Sequence, residues 1–280
     1  MILDIKTLAD TLTHDIRDNV QTLKQKPHLT IVMVGNNSAS EVYVRNKLRT
    51  CESVGITSNL VHLQESISQQ ELLEEIKKLN QDKAVTGILV QSPLPAHIHA
   101  QTIFDAINAE KDVDGFSSTN IARLYSGNES GLVPWTPKGI MEIIKKYREI
   151  SGAHVVVVGK STIVGKPLAM LLLNAGATVT ICHSRTKDLS SQTKNADIVI
   201  SAVGKKHLIT ADMIQPDSLV IDVGINVEIQ ETGKKLFWDC DTENIGKIAD
   251  VTPVPGGVGP MTIALLLSNV LHAHTLQWKQ

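Results

Sequence analysis

An α/β protein is predicted by three features of the chain. Short apolar runs rich in β-branched residues recur along it, helical stretches with start and stop signals separate them, and the second half holds one regular strand–loop–helix–strand unit. The four valines at 155–158 are wholly apolar, which suits a parallel strand covered on both faces. A length of 280 residues makes one large domain or two ordinary ones, with ample core.

The elements follow in order. The first twenty residues mix acids with apolar positions at helical spacing, and no secretory apolar region, cleavage site or membrane-length run is seen. Residues 29–34 read as a strand, and Ser38 with Glu41 offers a capping box for a helix over about 39–54. Ser68 and Glu71 offer a second, for a helix through Leu72, Leu73, Ile76 and Leu79; a buried strand over 85–91 follows. Thr136 as N-cap and Pro137 as first helical residue open a helix through 139–148. Beyond the valines, Pro167 suits a helix over 168–174, Gly176 its stop, and 178–182 the next strand. Residues 197–202 and 219–223 are further strands, and 263–272 is an apolar helix. Fixed-period repeats and low-complexity tracts are not evident.

Charge and cysteines narrow the function. A formal net charge of −2 leaves no basic stripe, so nucleic acid and anionic membrane are poor partners. Cys51, Cys182 and Cys240 are widely spaced without metal-ligand pairing; they fit small buried thiols in a cytoplasmic protein, and no metal is called for.

In a strand–loop–helix unit, the free N–H groups and dipole at the helix start favour a phosphate, and a dinucleotide is the natural occupant. The glycines stand at Gly159 and Gly165, with Ser161 where a G-x-G-x-x-G fingerprint has its second glycine. Alone, this is equally a ligand-free core turn. The end of the next strand, His183-Ser184-Arg185-Thr186, shifts the balance, because it lacks the carboxylate that accepts from the ribose of NAD. Ser184, Arg185 and Lys160 together suit a 2′-phosphate, which points to NADP over a set of solvated loop residues.

Other candidates are weaker singly. Tyr43 and Lys47, four apart, share a helix face, and a lysine in a partly dry cleft is a proton donor or acceptor near neutral pH. On spacing alone, Tyr-x-x-x-Lys is usually one packed ring and one solvated amine. Gln91-Ser-Pro-Leu-Pro95 forms a rigid turn at a strand's carboxyl end, with the Gln91 amide placed for the same cleft. Of Asp112 and Asp114, whichever faces that cleft is an acceptor for heterocycle N–H groups. Gly204 and Gly224, at strand tips, suit close approach of a flat cofactor or an ordinary turn. Residues 252–262, TPVPGGVGPMT, combine free and restricted backbone, as a loop lying against a ligand needs.

These motifs in this order resemble the bifunctional methylenetetrahydrofolate dehydrogenase/cyclohydrolases, the FolD family. The likeness covers nearly the whole chain: Tyr43-x-x-x-Lys47, Gln91-x-Pro-Leu-Pro95, Asp112-Val-Asp-Gly-Phe116, Thr136-Pro137, Gly159-x-Ser161-x-x-Val-Gly165-x-Pro167, Asp222-Val-Gly-Ile225 and the loop from Pro253 to Thr262. Ser92 departs from the usual leucine and Trp135 stands where cysteine is common. The resemblance implies a folate-binding catalytic lobe over 1–136 plus 260–280, to which the C-terminal helix returns, and a Rossmann-like NADP-binding lobe over 137–259. It implies folate in the cleft between lobes, the nicotinamide above the second lobe, and a homodimer formed through the cofactor lobes. By carry-over Lys47 is the central proton-transfer residue, Tyr43 stacks on the folate, Gln91 tunes Lys47 and Asp114 grips the pterin. Gly159, Lys160, Ser161, Ser184, Arg185 and Ile225 are expected to hold NADP, and Pro255, Gly256 and Gly257 to close on the substrate. The implied function is oxidation of 5,10-methylenetetrahydrofolate, then hydrolysis to 10-formyltetrahydrofolate, in one-carbon metabolism. Alternatives are a dehydrogenase without the hydrolase step, a two-lobe shikimate-type oxidoreductase, and a non-enzymatic NADP-sensing module.

Overall fold

The computed structural model describes residues 1–128, 130–224, 226–230 and 233–278. It divides into two compact units: Asp10–Trp135 with Ile263–Gln280, and Met1–Ala9 with Thr136–Thr262. The opening residues join the latter through the Ile2 bridge to Val251 and the bond from Leu3 N–H to Val251 O, 3.0 Å.

In chain order the first half runs α1 (Ile5–Thr22), β1 (His28–Val34), α2 (Ser38–Ser53), β2 (Thr57–Leu63), α3 (Gln69–Gln81), β3 (Gly87–Val90), α4 (Ala100–Ala106) and α5 (Ser118–Tyr125). The sheet is parallel with order β2-β1-β3. Period-two alternation in β1 builds two cores. Leu29, Ile31 and Met33 pack with Val44 and Cys51 of α2, while Val32 and Val34 pack with Leu72 and Ile76 of α3. The capping box of α3 forms: Glu71 N–H donates to Ser68 Oγ at 3.2 Å and Ser68 N–H to Glu71 Oε2 at 2.9 Å. That expected at Ser38 does not, because α2 begins one residue earlier and Ser40 N–H donates to Asn37 Oδ1 at 3.0 Å.

The second half continues with α6 (Trp135–Tyr147), β4 (His154–Val158), α7 (Gly165–Asn174), β5 (Thr178–Cys182), α8 (Leu189–Thr193), β6 (Ile198–Ser201) and β7 (Leu219–Asp222). The hairpin β8 (Asn226–Gln230) and β9 (Gly233–Phe237), then α9 (Thr242–Ile245), β10 (Asp250–Val251) and α10 (Val258–Gln277) complete it. Thr136 is not the N-cap of α6, which starts at Trp135 and leaves Pro137 in a first turn whose N–H groups need no intrahelical acceptor. Gly176, at φ +86°, stops α7 as expected, with Ala177 N–H bonded to Leu172 O and Gly176 N–H to Leu173 O, both 3.0 Å.

The five strands of this unit lie parallel in the order β10-β7-β6-β4-β5. All four valines of β4 are buried, as a doubly covered strand requires. From β4 the chain passes through α7 to β5 on one side, then returns to β6 on the other, so the strand order reverses between β4 and β6. Open parallel sheets bind ligands outside the carboxyl ends of such a pair.

Candidate active site

In the three-stranded unit, α2 carries Tyr43 and Lys47 on one face, since residues four apart stack along a helix. Their environments differ. Tyr43 is 53 % exposed, whereas Lys47 is 8 % exposed and its Nζ donates to Gln91 Oε1 at 3.1 Å. Gln91 follows β3 directly, and its N–H continues the ladder to Val32 O at 2.8 Å, which fixes where the amide begins. Its Nε2 donates to Ser92 O at 2.7 Å, so the carbonyl end is the one turned to the amine. The Ser92–Pro93 peptide bond is cis.

The two aspartates that spacing alone leaves open divide cleanly. Asp112 Oδ1 accepts from Gly115 N–H (3.0 Å), and its Oδ2 accepts from Ser117 N–H (2.8 Å) and Asn120 Nδ2 (3.0 Å), which makes it the organiser of the turn. Asp114 accepts at Oδ1 from the Trp135 indole Nε1–H at 2.7 Å. That ring also meets Lys47, whose Nζ lies 5.3 Å from its centroid. Lys47, Gln91, Asp114 and Trp135 are thus gathered at the carboxyl end of one sheet.

Electrostatics at this cluster are set by burial. Desolvation holds the Lys47 amine below its ordinary value, against the opposing pull of Asp114. Burial likewise pushes the Asp114 carboxyl up to about 6, against the stabilising effects of Lys47 and the indole bond. The same burial thus lowers the amine and raises the carboxyl, which narrows the gap between the two groups. Beneath Lys47, the Cys51 thiol is pushed up to about 12 by burial and stays protonated, the small core hydrophobe expected of it.

In the five-stranded unit, Gly159 and Ala202 meet at the order reversal. Gly159 has φ +132°, and a Cβ there would stand 2.6 Å from Ala202 O. A Cβ at Gly165 would overlap the Gly159 carbonyl, so α7 starts hard against the strand end. Ser161 Oγ accepts from Val164 N–H at 3.2 Å and Gly165 N–H at 3.3 Å, and so ties down the loop that enters α7 where a fingerprint glycine usually stands. Lys160 is exposed beside it. After β5, His183 N–H donates to Thr186 Oγ1 at 2.8 Å and Thr186 N–H to His183 O at 2.8 Å, a tight turn on which Ser184 and Arg185 are both exposed.

The loop after β6 is held by a residue that sequence reasoning misses. Asp239 accepts from Ser201 Oγ (3.0 Å), Val203 N–H (2.8 Å), Gly204 N–H (3.2 Å) and Lys205 N–H (2.7 Å). Its neighbour Asp222 accepts from Gly224 and Cys240 N–H, and burial pushes its carboxyl up to about 6. No local sequence signal marks Asp239, because its partners are 34 to 38 residues away. Pro255, Gly256 and Gly257 form the turn before α10, with Gly256 at φ +99°. Ile225 lies outside the described residues.

The family model described as the catalytic domain of tetrahydrofolate dehydrogenase/cyclohydrolase matches residues 3–114, and that described as its NAD(P)-binding domain matches 134–278. A bifunctional protein FolD of a Wolbachia from Drosophila simulans is 47 % identical over 99 % of this chain and 96 % of its own. The Campylobacter jejuni bifunctional FolD crystal structure superposes at TM-score 0.94 with 46 % identity, covering 99 % of both chains. The Trypanosoma brucei FolD, solved with NADP and an inhibitor, gives TM-score 0.94 and 32 % identity over 100 % of this chain and 99 % of its own.

Proposed function

This chain belongs to the tetrahydrofolate dehydrogenase/cyclohydrolase family, and from that premise we propose how its residues divide the work. It is a bifunctional enzyme of one-carbon metabolism: it oxidises 5,10-methylenetetrahydrofolate to the methenyl compound, then hydrolyses that to 10-formyltetrahydrofolate. The three-stranded unit is assigned the folate and the five-stranded unit the dinucleotide. A shikimate-type oxidoreductase or a non-enzymatic sensor is not favoured, given whole-chain likeness at 47 % identity.

The observation that carries the chemistry is the buried Lys47 amine, turned to Gln91 and neighboured by Asp114. Asp114 accepts from the pterin's amino and ring N–H donors, and the exposed Tyr43 ring stacks on the folate. NADP, when bound, accepts the hydride from the methylene bridge. In the hydrolysis Lys47, whose pKa desolvation lowers, takes a proton as water adds to the methenyl carbon. It returns that proton to the ring nitrogen as the carbon–nitrogen bond breaks and the carbinol hydroxyl gives up its own proton to water, so that the formyl group stays on the other nitrogen. Gln91 keeps the amine aimed through both transfers. Pro255, Gly256 and Gly257 are assigned to closing on the substrate.

For the cofactor, the glycine contact at Gly159 and the exposed Lys160, Ser184 and Arg185 favour a nucleotide with a 2′-phosphate. Ser161 contributes by holding the helix start. We further assign the enzyme to the cytoplasm as a homodimer; its three cysteines are buried free thiols, and among the described residues no helix is long and apolar enough to cross a membrane.

The test is direct. Purified protein is expected to reduce NADP with methylenetetrahydrofolate, and Lys47→Met to lose at least about 100-fold in methenyl hydrolysis while still binding NADP. Hydrolysis by that variant at the parental rate removes Lys47 from the mechanism.

A further inference from the structure

The indole of Trp135 touches both ionisable groups of the proposed folate site. Its Nε1–H bonds Asp114 Oδ1 at 2.7 Å, and its ring stands 5.3 Å from Lys47 Nζ. We propose that Trp135 is a positioning residue of this enzyme, fixing Asp114 by one oxygen so that the other meets the pterin, and covering Lys47 with its ring. The proposal rests on the functional reading above and deepens it.

Three physical points support it. First, an indole N–H donates at every pH and cannot accept, so its bond always favours the carboxylate over the carboxylic acid. A thiol in the same place is a weak donor and far smaller. Second, the contact is built in rather than incidental. Gly115, next to Asp114, has φ +70°, and a Cβ there would stand 2.7 Å from Pro134 N, so the aspartate's loop and the tryptophan's segment are packed backbone to backbone. Buried Asn269 reinforces this, donating through Nδ2 to Val113 O at 2.9 Å and Val133 O at 2.7 Å. Third, the ring adds a second neighbour to the Lys47 amine beside Gln91, where it excludes water and contributes a cation–π attraction when the amine is charged.

The charged groups facing Asp114 are Lys47 from α2 and Asp112 from its own loop, the first favouring its anion and the second opposing it. Removing the indole donor therefore shifts Asp114 toward its protonated form. A protonated Asp114 has lost part of its capacity to accept from the pterin, so kcat/KM falls as pH drops through the carboxyl's titration.

The experiment compares the parental protein with Trp135→Phe, which keeps a ring and loses the donor, and Trp135→Cys, which leaves only a small, weak donor. Without ligand, the Asp114 carboxyl band is followed by difference infrared spectroscopy against pH, identified by its absence in Asp114→Asn. Both variants are expected to titrate about one pH unit higher than the parent. In turnover, the acid limb of kcat/KM moves the same way, and the loss of about tenfold or more falls on the KM for folate rather than on kcat. Superimposable carboxyl titrations in the parent and both variants overturn the inference, whatever the activity. A parental protein without folate turnover overturns the functional reading instead, and the ligand-free titration then decides by itself whether Trp135 sets the state of Asp114.

Discussion

Asp114 illustrates at the scale of one residue how a group proposed for binding is kept at a cost to the fold. It is 5 % exposed, and burial raises its carboxyl from 3.8 to about 6 even with Lys47 and the Trp135 indole favouring the anion. A raised folded-state pKa means that this group's contribution to stability is fully present below its unfolded pKa of 3.8 and lost as pH rises through about 6. About two pKa units correspond to at most about 3 kcal/mol. Asp114→Asn, which resembles the neutral acid, is therefore expected to melt higher than the parent at pH 7.5, with the gap closing near pH 4. The same variant weakens folate binding, because an amide cannot accept from all the donors that a carboxylate can. A parent–variant difference in melting temperature that does not change with pH refutes the electrostatic account, and unchanged folate affinity by calorimetry removes Asp114 from the site. By spacing alone, without the family resemblance, Asp112 and Asp114 are equivalent. What separates them is a turn in which Gly115, Ser117 and Asn120 claim Asp112, and that is settled only when Asn120 is brought back by α5.

At the scale of elements, the legible strands are those buried on both faces. β1, β3, β4, β6 and β7 each read as continuous apolar runs, because a covered parallel strand has no polar side to interrupt it. β2 is illegible for the opposite reason: its sequence TSNLVHL lies at a sheet edge with most positions partly or fully exposed, and His28 Nε2, Thr30 and Asn59 pair along it as polar partners. The β8–β9 hairpin and the two-residue β10 are too short or too polar to announce themselves. The candidate site is legible through spacing, as with Tyr43 and Lys47 on α2, and illegible where one side chain gathers distant backbone, as Asp239 does. The turn after β5 carries this scale's prediction. Without a carboxylate there, the 2′-hydroxyl of NAD would have no acceptor, whereas a 2′-phosphate would find the Ser184 hydroxyl and the Arg185 guanidinium, with Lys160 beyond β4. Charge-assisted bonds of about 1.5–3 kcal/mol, reduced by solvent exposure, give NADP a preference of about ten- to several-hundred-fold. Lys160 and Arg185 replaced together by alanine should raise the KM for NADP and leave that for NAD nearly unchanged. Equal losses for both cofactors return these two residues to the solvated surface.

For the whole molecule the open question is what covers the outer edge of the five-stranded sheet. β5 ends the order β10-β7-β6-β4-β5, and within the chain its outer backbone groups have no strand beside them among the described residues. Single-chain proteins usually blunt such an edge with lysine, proline or a bulge. The sequence TVTIC has none of these, and it exposes Ile181 by 38 %, with Leu173 of the preceding helix exposed by 55 %. A second copy that paired its own β5 antiparallel to this one, about a twofold axis, would satisfy the edge and bury both apolar side chains in a single self-complementary contact. The parental protein is therefore expected to be a dimer at micromolar concentration, and Ile181→Lys, which places a charge in the middle of that contact, a monomer by light scattering. Because β5 runs straight into the turn of Ser184 and Arg185, separating the copies loosens the proposed 2′-phosphate contacts, and the KM for NADP rises severalfold. Lys47, Gln91 and Asp114 belong to the other unit, so folate affinity measured without cofactor should not follow. A dimer that survives the lysine moves the interface elsewhere, and a parental monomer with ordinary NADP affinity shows that the edge is tolerated bare.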